Sequence, residues 1–397
     1  MKKLILSLSC VVATTTLQAV NPVMDKVIDF VPAPGQFVNI IPEYEEGDDA
    51  EIMAQKALQT ILDDGMVSLG AWGGYITVGF SHTIVNVAGQ RDIFIEGNSF
   101  NSDSSTNGGS SEPGVVLVAY DINQNGLPDD NEWFEIAGSE YSRSITDYRI
   151  TYKRPSSLTD EISWSDNKNA TGKVERNQFH SQSYWPLWIE SDALSFVGTL
   201  LPKNAVNEGT SDNPYFVLKP FDYGYADNQP NMVSGMRNSG ACIDIDWAVD
   251  KEGNPVKMPG VDFVRIYTGE NQTNGWIGET STEVCRVMNN HTVTIGNEEV
   301  VDESVTIDND VLEAFLQNYG GVETPRSEDL RLYFNPSVGE VEFTLVKPSS
   351  AYIYNQAGQL MAMDILSEGA HTLSLATFPT GLYIVRVADK LIKILKK

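Results

Sequence analysis

The stretch Asp121-Ile-Asn-Gln-Asn-Gly-Leu-Pro-Asp-Asp-Asn-Glu132 lies between an apolar run, Val115 to Tyr120, and an aromatic run, Trp133 to Ile136. It fits the calcium-loop pattern D-x-[DN]-x-[DN]-G-x5-E at Asp121, Asn123, Asn125, Gly126 and Glu132. A hard cation needs roughly six to eight oxygen ligands, so alternate side chains must turn inward while a glycine permits the bend. Asp121, Asn123, Asn125 and Glu132 are the expected side-chain ligands. Leu127 would give its carbonyl, and Asp129 stands where a ligand or water-holding group is usual. The flanking runs are β-branched, aromatic and too short for helices, so the expectation is a calcium-bound turn joining two strands. An Asn/Asp/Gly turn holding no metal fits the same letters. Either way the loop stiffens a sheet corner and is no sign of catalysis.

Charge narrows the partners. The chain has 54 acidic and 27 basic residues among 397, a net charge of -27, which repels nucleic acid and anionic membranes. Met1-Lys-Lys, the apolar stretch Leu4 to Leu17 and the small residue Ala19 read as a secretory signal over residues 1–19. No later stretch is apolar enough to span a membrane. The run before Cys10 is too short to make it a lipidation site. Cys242 and Cys285 remain in the exported chain, as one disulfide or as two buried thiols.

After a proline-containing lead-in, Asp48-Asp49 opens an amphipathic helix with Ile52, Met53, Leu58, Ile61 and Leu62 on one side, ended by Gly65. From Met66 onward short strand-like runs alternate with Gly, Asn and Ser punctuation. The expected fold of residues 20–296 is therefore all-β, a jelly-roll-like β-sandwich with one N-terminal helix. Residues 297–328 read as an acidic linker with a short helix. Residues 329–397 read as a small C-terminal antiparallel β-sandwich, from alternating runs such as Ala351 to Tyr354 and Leu382 to Val387.

Two resemblances follow from particular residues. Val67 to Phe80, Ile84 to Asp92, Asp222-Tyr-Gly-Tyr-Ala-Asp-Asn228, Ile245 to Asp250 and Gly278-Glu-Thr-Ser-Thr-Glu283 resemble a family of exported Bacteroidetes cell-surface proteins. That resemblance implies a surface module, and some such proteins accompany outer-membrane uptake systems, including corrinoid capture. Leu332-Tyr-Phe-Asn-Pro-Ser-Val-Gly339, Ala351 to Leu360, Phe378-Pro-Thr-Gly-Leu-Tyr-Ile-Val-Arg-Val387 and the end Lys393 to Lys397 resemble the type IX secretion C-terminal sorting domain. It implies recognition by the type IX machinery and passage across the outer membrane to the surface or medium.

Catalytic motifs are scarce. The histidines His82, His180, His291 and His371 are scattered outside any H-E-x-x-H pattern, and there is no G-x-S-x-G elbow, phosphate-cradling loop or C-x-x-C pair. An Asp/Glu pair for glycoside hydrolysis is hidden among so many carboxylates. The aromatic patch Tyr184, Trp185 and Trp188, with Tyr223 and Tyr225 beside Asp222, Asp227 and Asn228, has the chemistry of a sugar or flat-ring binding face: rings to stack and polar tips to bond. Core packing is the competing reading of each ring. The loop from Phe221 to Pro230 is the better exposed site, and its acids suit a second cation. The expectation is a non-enzymatic surface protein with calcium as cofactor and a glycan or corrinoid as ligand. A secreted glycan hydrolase and an adhesive surface component are the alternatives.

Overall fold

The computed structural model describes residues 19–102, 108–320, 332–335, 339–345, 349–355, 360–366, 369–376, 378–387 and 390–396. The signal before Ala19, Cys10, residues 321–328 of the expected linker and 329–331 of the expected C-terminal domain lie outside them. The chain divides into two compact units between Gln317 and Asn318.

Asp49 caps the first helix, Ala50–Leu62, by accepting the Ile52 N–H, and Glu51 in the first turn suits the helix dipole. Its buried face is Met53, Ala54, Ala57 and Ile61. Ile52 and Leu62, expected on that face, are exposed at 37% and 47%, because the small alanines let the helix approach the sheet on their own side.

The first unit is built on a six-stranded antiparallel sheet in the order Lys26–Val31, Tyr75–Val85, Gly260–Thr268, Gly114–Ala119, Trp133–Ile136, Ala248–Val249. Ile76 to Phe80 are all buried, as expected of a central strand covered on both faces. A four-stranded sheet, ordered Thr171–Val174, Ile162–Asp166, Ile145–Lys153, Ala193–Leu200, shares its core. Tyr152 donates to the Trp72 carbonyl at 2.9 Å, and the Tyr267 hydroxyl accepts the Thr199 N–H at 2.7 Å.

The all-β expectation holds, with two α-helices among the described residues. The jelly roll is not what the strands build. The other strands of this unit form separate sheets of two to four strands, several of them only two residues long. Gly, Pro and Asn interrupt the pairing too often for a second large sheet. Val67–Ser68 is one such two-residue strand, and Cys242–Ile243 and Ala248–Val249 are two more, separated by a 3-10 turn at Ile245–Trp247.

The stretch expected as a linker contains the helix Asn309–Asn318, whose Phe315 packs edge-on against Tyr120 at 5.9 Å and near Phe134 at 5.8 Å. Cys242 and Cys285 are both free thiols. They flank the strand Ile93–Glu96 from opposite sides, Cys242 opposite Phe94 and Cys285 bonded through its N–H to Glu96, so a strand's width separates them.

The second unit has a three-stranded and a four-stranded antiparallel sheet. Val341, Phe343 and Leu345 of one meet Ala351, Ile353, Tyr383, Val385 and Val387 of the other in a single core. Strict alternation along Glu340–Leu345 places every second side chain inside.

Candidate metal loop and adjoining cleft

Val118 faces Phe134 and Ala119 faces Trp133 across an antiparallel pair, so the Asp121–Glu132 stretch is the connection of a hairpin. Its turns are made by its own side chains. Asp121 accepts the N–H groups of Asn125 and Gly126 at 3.0 and 2.8 Å, Asn123 that of Asn125 at 3.0 Å, and Asn125 that of Leu127 at 2.7 Å. Gly126 sits at φ +78°, the left-handed region the bend requires. Glu132 is 1% exposed and closes the loop, accepting the Ile122 and Asp129 N–H groups at 2.9 Å each. Burial pushes its carboxyl above the usual range.

The donor set fits a hard cation. Asp121, Asn123, Asn125, Asp129 and Glu132 offer only oxygen. The amides of Asn123 and Asn125 both donate to Asp129, which gathers two amides and a carboxylate at one point. A cation there would take the side-chain oxygens of Asn123 and Asn125 in place of these amide donors, together with the carboxylates, and the Leu127 carbonyl is the expected further ligand.

Beside the loop lies a cleft of about 220 Å3. Asp121, Gln124 and Gly126 form one wall, and Lys26, Ser81, His82, Thr83, Tyr120 and Asp262 contribute polar groups. Asp262 fixes the cleft to the loop: one oxygen accepts the Thr83 hydroxyl at 2.6 Å, the other the Asp121 N–H at 2.8 Å. Burial raises the Asp262 carboxyl and lowers the His82 imidazole. His82 Nε2 lies 3.2 Å from the Asn289 amide, while its Nδ1 is buried without a hydrogen-bond partner. None of the cleft residues outside the loop is marked in sequence, because they come from four separate strands or their ends.

Most of the aromatic face expected from sequence lies inside the protein. Tyr184 and Trp185 are 0% exposed, Trp188 8% and Tyr225 2%. The Trp185 indole donates to the Ile189 carbonyl at 2.9 Å, and Trp188 stacks between Phe30 at 5.9 Å and Tyr44 at 6.2 Å. The Tyr225 hydroxyl accepts the Glu140 N–H at 3.0 Å. The polar tips of Tyr184, Trp185 and Tyr225 are engaged internally, the Tyr184 hydroxyl by the Asn177 N–H at 2.9 Å, so these rings pack the core. Asn228 is also buried, bonded both ways to the Phe221 backbone at 2.7 and 2.9 Å. Asp227 is 3% exposed and grouped with Glu112 and Glu283, which sequence reasoning passed over. The only hint was an acid at the end of the uncharged runs Gly108-Gly-Ser-Ser-Glu112 and Thr280-Ser-Thr-Glu283. Asp222 and Tyr223 remain outside. The Tyr223 ring meets Trp247 at 4.6 Å, and the Arg91 guanidinium lies 3.9 Å from the same indole.

One half-buried carboxyl away from the loop sets a pH dependence. Glu135 accepts the Thr199 hydroxyl at 2.7 Å, and burial pushes it up to about 7 from 4.5. Between those values the folded state holds a proton that the unfolded chain releases. Stability from this group is complete below pH 4.5 and is lost as pH rises through about 7. The loss is on the order of 1–3 kcal/mol. Thermal melts at pH 5 and pH 8 should show a smaller decline for Glu135→Gln than for the native chain; equal declines would remove Glu135 as the cause.

The family model described as "Secretion system C-terminal sorting domain" matches residues 331–397. No curated protein matches the chain. No helix among the described residues is long and apolar enough to cross a membrane. With a sorting domain at its end, the chain is a cargo of the type IX secretion machinery, exported across the outer membrane to the cell surface or the extracellular space.

Proposed function

We propose that the exported chain is a calcium-binding surface protein that captures a small polyhydroxylated ligand, a sugar unit of a glycan, in the cleft beside Asp121–Glu132. The observation carrying this reading is the shared wall: Asp121 belongs at once to the metal loop and to the cleft, and Asp262 ties the two together. A cation in the loop would fix Asp121, Gln124 and Gly126, and with them one side of the ligand site. Tyr120 and Phe80 supply ring surface, Lys26 and Ser81 supply donors suited to hydroxyls, and the Thr83 oxygen can accept. The size favours a sugar among the expected ligands. At about 220 Å3 the cleft is smaller than the roughly 300–1,000 Å3 that encloses a drug-sized molecule. It suits one sugar ring, and a corrinoid would sit outside it.

Calorimetric titration of the mature chain with a panel of mono- and oligosaccharides tests this. Binding should occur in calcium, weaken at least tenfold in chelator, and weaken in Lys26→Ala and Ser81→Ala. Affinity unchanged by both chelator and variants would refute the site. The hydrolase reading keeps one observation, two carboxyls in a cleft, Asp121 and Asp262, the latter raised by burial. Both are engaged in loop hydrogen bonds, which favours binding; sugar release abolished by Asp262→Asn would reverse that preference.

A further inference from the structure

Glu112, Asp227 and Glu283 come from separate segments, and one oxygen of each lies within 4.8 Å of the others. They are 8%, 3% and 4% exposed. Neutral donors hold them. Asp227 accepts the Asn98, Ser99 and Glu283 N–H groups at 2.7, 2.8 and 3.0 Å, and Glu112 accepts the Ser281 N–H at 3.1 Å. Glu283 accepts the Ser281 hydroxyl at 2.8 Å and the Asn98 amide at 3.2 Å. Gly97 admits Asp227, whose Oδ1 would lie 2.3 Å from a Cβ at that position. Among the described residues no lysine, arginine or histidine forms an ion pair with any of the three.

A fourth buried carboxylate adjoins them. Glu279 is 4% exposed, and its Oε2 has no hydrogen-bond partner. Its Oε1 accepts the Gln36 N–H at 2.6 Å. The unpaired oxygen belongs to a residue four positions before Glu283, and its charge acts on Glu112 as the charge of Glu283 acts on it. Closely spaced buried carboxylates are tolerated when protons or a cation neutralise them. Burial first, then the neighbouring carboxylates, hold Glu112 and Asp227 well above the usual range. The spacing suits the second remedy, since oxygens on opposite sides of a calcium ion stand roughly 4.6–5.2 Å apart.

We propose that Glu112, Asp227 and Glu283 hold a divalent cation of the calcium type, distinct from the Asp121–Glu132 loop, with the free oxygen of Glu279 as a further ligand. Such an ion staples three segments far apart in sequence: the approach to the strand Gly114–Ala119, the loop after Phe221, and the run Glu279–Val284. It does for the interior what the loop does for a sheet corner.

The test counts calcium bound per mature chain by equilibrium dialysis, after unfolding and refolding in chelator to empty a site this closed. Glu132→Ala is the background, since it disables the loop. That chain should bind one calcium at millimolar concentration, and adding Glu112→Gln with Glu283→Gln should bring the count to zero. Glutamine keeps the shape and imitates a protonated acid, so if protons alone neutralise the trio, the count will not change and the proposal falls. A Glu132→Ala chain that binds no calcium overturns it without any variant of the trio, and Glu112→Gln alone serves where the double variant does not fold.

Discussion

Trp185→Ala will lower the stability of the first unit by about 3–5 kcal/mol, the range for removing a large buried aromatic side chain. Trp185 is 0% exposed and shares a core with Trp72, Tyr152, Tyr184 and Phe196. The substitution leaves a cavity among these rings and strips the Ile189 carbonyl of its donor. At roughly 2–4 °C per kcal/mol, the melting temperature should fall by on the order of 10 °C. Tyr223→Ala is the control. That ring is 38% exposed, and losing its contact with Trp247 should cost no more than about 1.5 kcal/mol. A Trp185→Ala chain that melts with the native protein but no longer binds its ligand would return Trp185 to the binding face suggested by sequence.

The contrast between these rings shows where the sequence stops speaking. Tyr184-Trp-Pro-Leu-Trp188 has the same letters whether it coats a sugar site or plugs a core. The decision belongs to Trp72, Tyr148 and Phe196, which arrive from other parts of the chain. Polar residues misled in the same way. Asp227 and Asn228 sit in a Gly/Asp/Asn loop that reads as surface, yet Asp227 caps N–H groups of Asn98 and Ser99, more than a hundred positions away. A loop rich in acceptors can face inward when the interior has orphan donors to satisfy. Nothing local announces them.

Local chemistry was legible where it is self-contained. Asp49 at the helix start, the hairpin around Asp121–Glu132 and the alternation from Leu382 to Val387 each depend on neighbours a few residues apart. The main sheet does not. Tyr75–Val85 pairs with Gly260–Thr268 across most of the first unit, and no hydrophobic period specifies which strand lies beside which. The cleft inherits that opacity: Asp262 reads as one more acid in a strand until its carboxylate is seen to accept the Asp121 N–H.

Calcium should raise the melting temperature of the native chain over its value in chelator, and Asp121→Ala should remove the loop's share of that rise. A ligand at 100 times its dissociation constant adds about 2.7 kcal/mol to the folded state, or on the order of 5–10 °C. Asp121 and Glu132 are not equivalent probes. The N–H groups that Asp121 accepts belong to the exposed residues Asn125 and Gly126, so water replaces the carboxylate and Asp121→Ala should change little in chelator. Glu132 is buried and serves Ile122 and Asp129. Glu132→Ala leaves those donors unpaired and should cost about 1–3 kcal/mol even without calcium. Two melts per variant separate the effects: a narrowed calcium-to-chelator gap reports the metal, and a lowered chelator value reports the loop's own hydrogen bonds. If the gap in Asp121→Ala is as wide as in the native chain, the loop holds no calcium, and the turn stands on its side-chain hydrogen bonds alone.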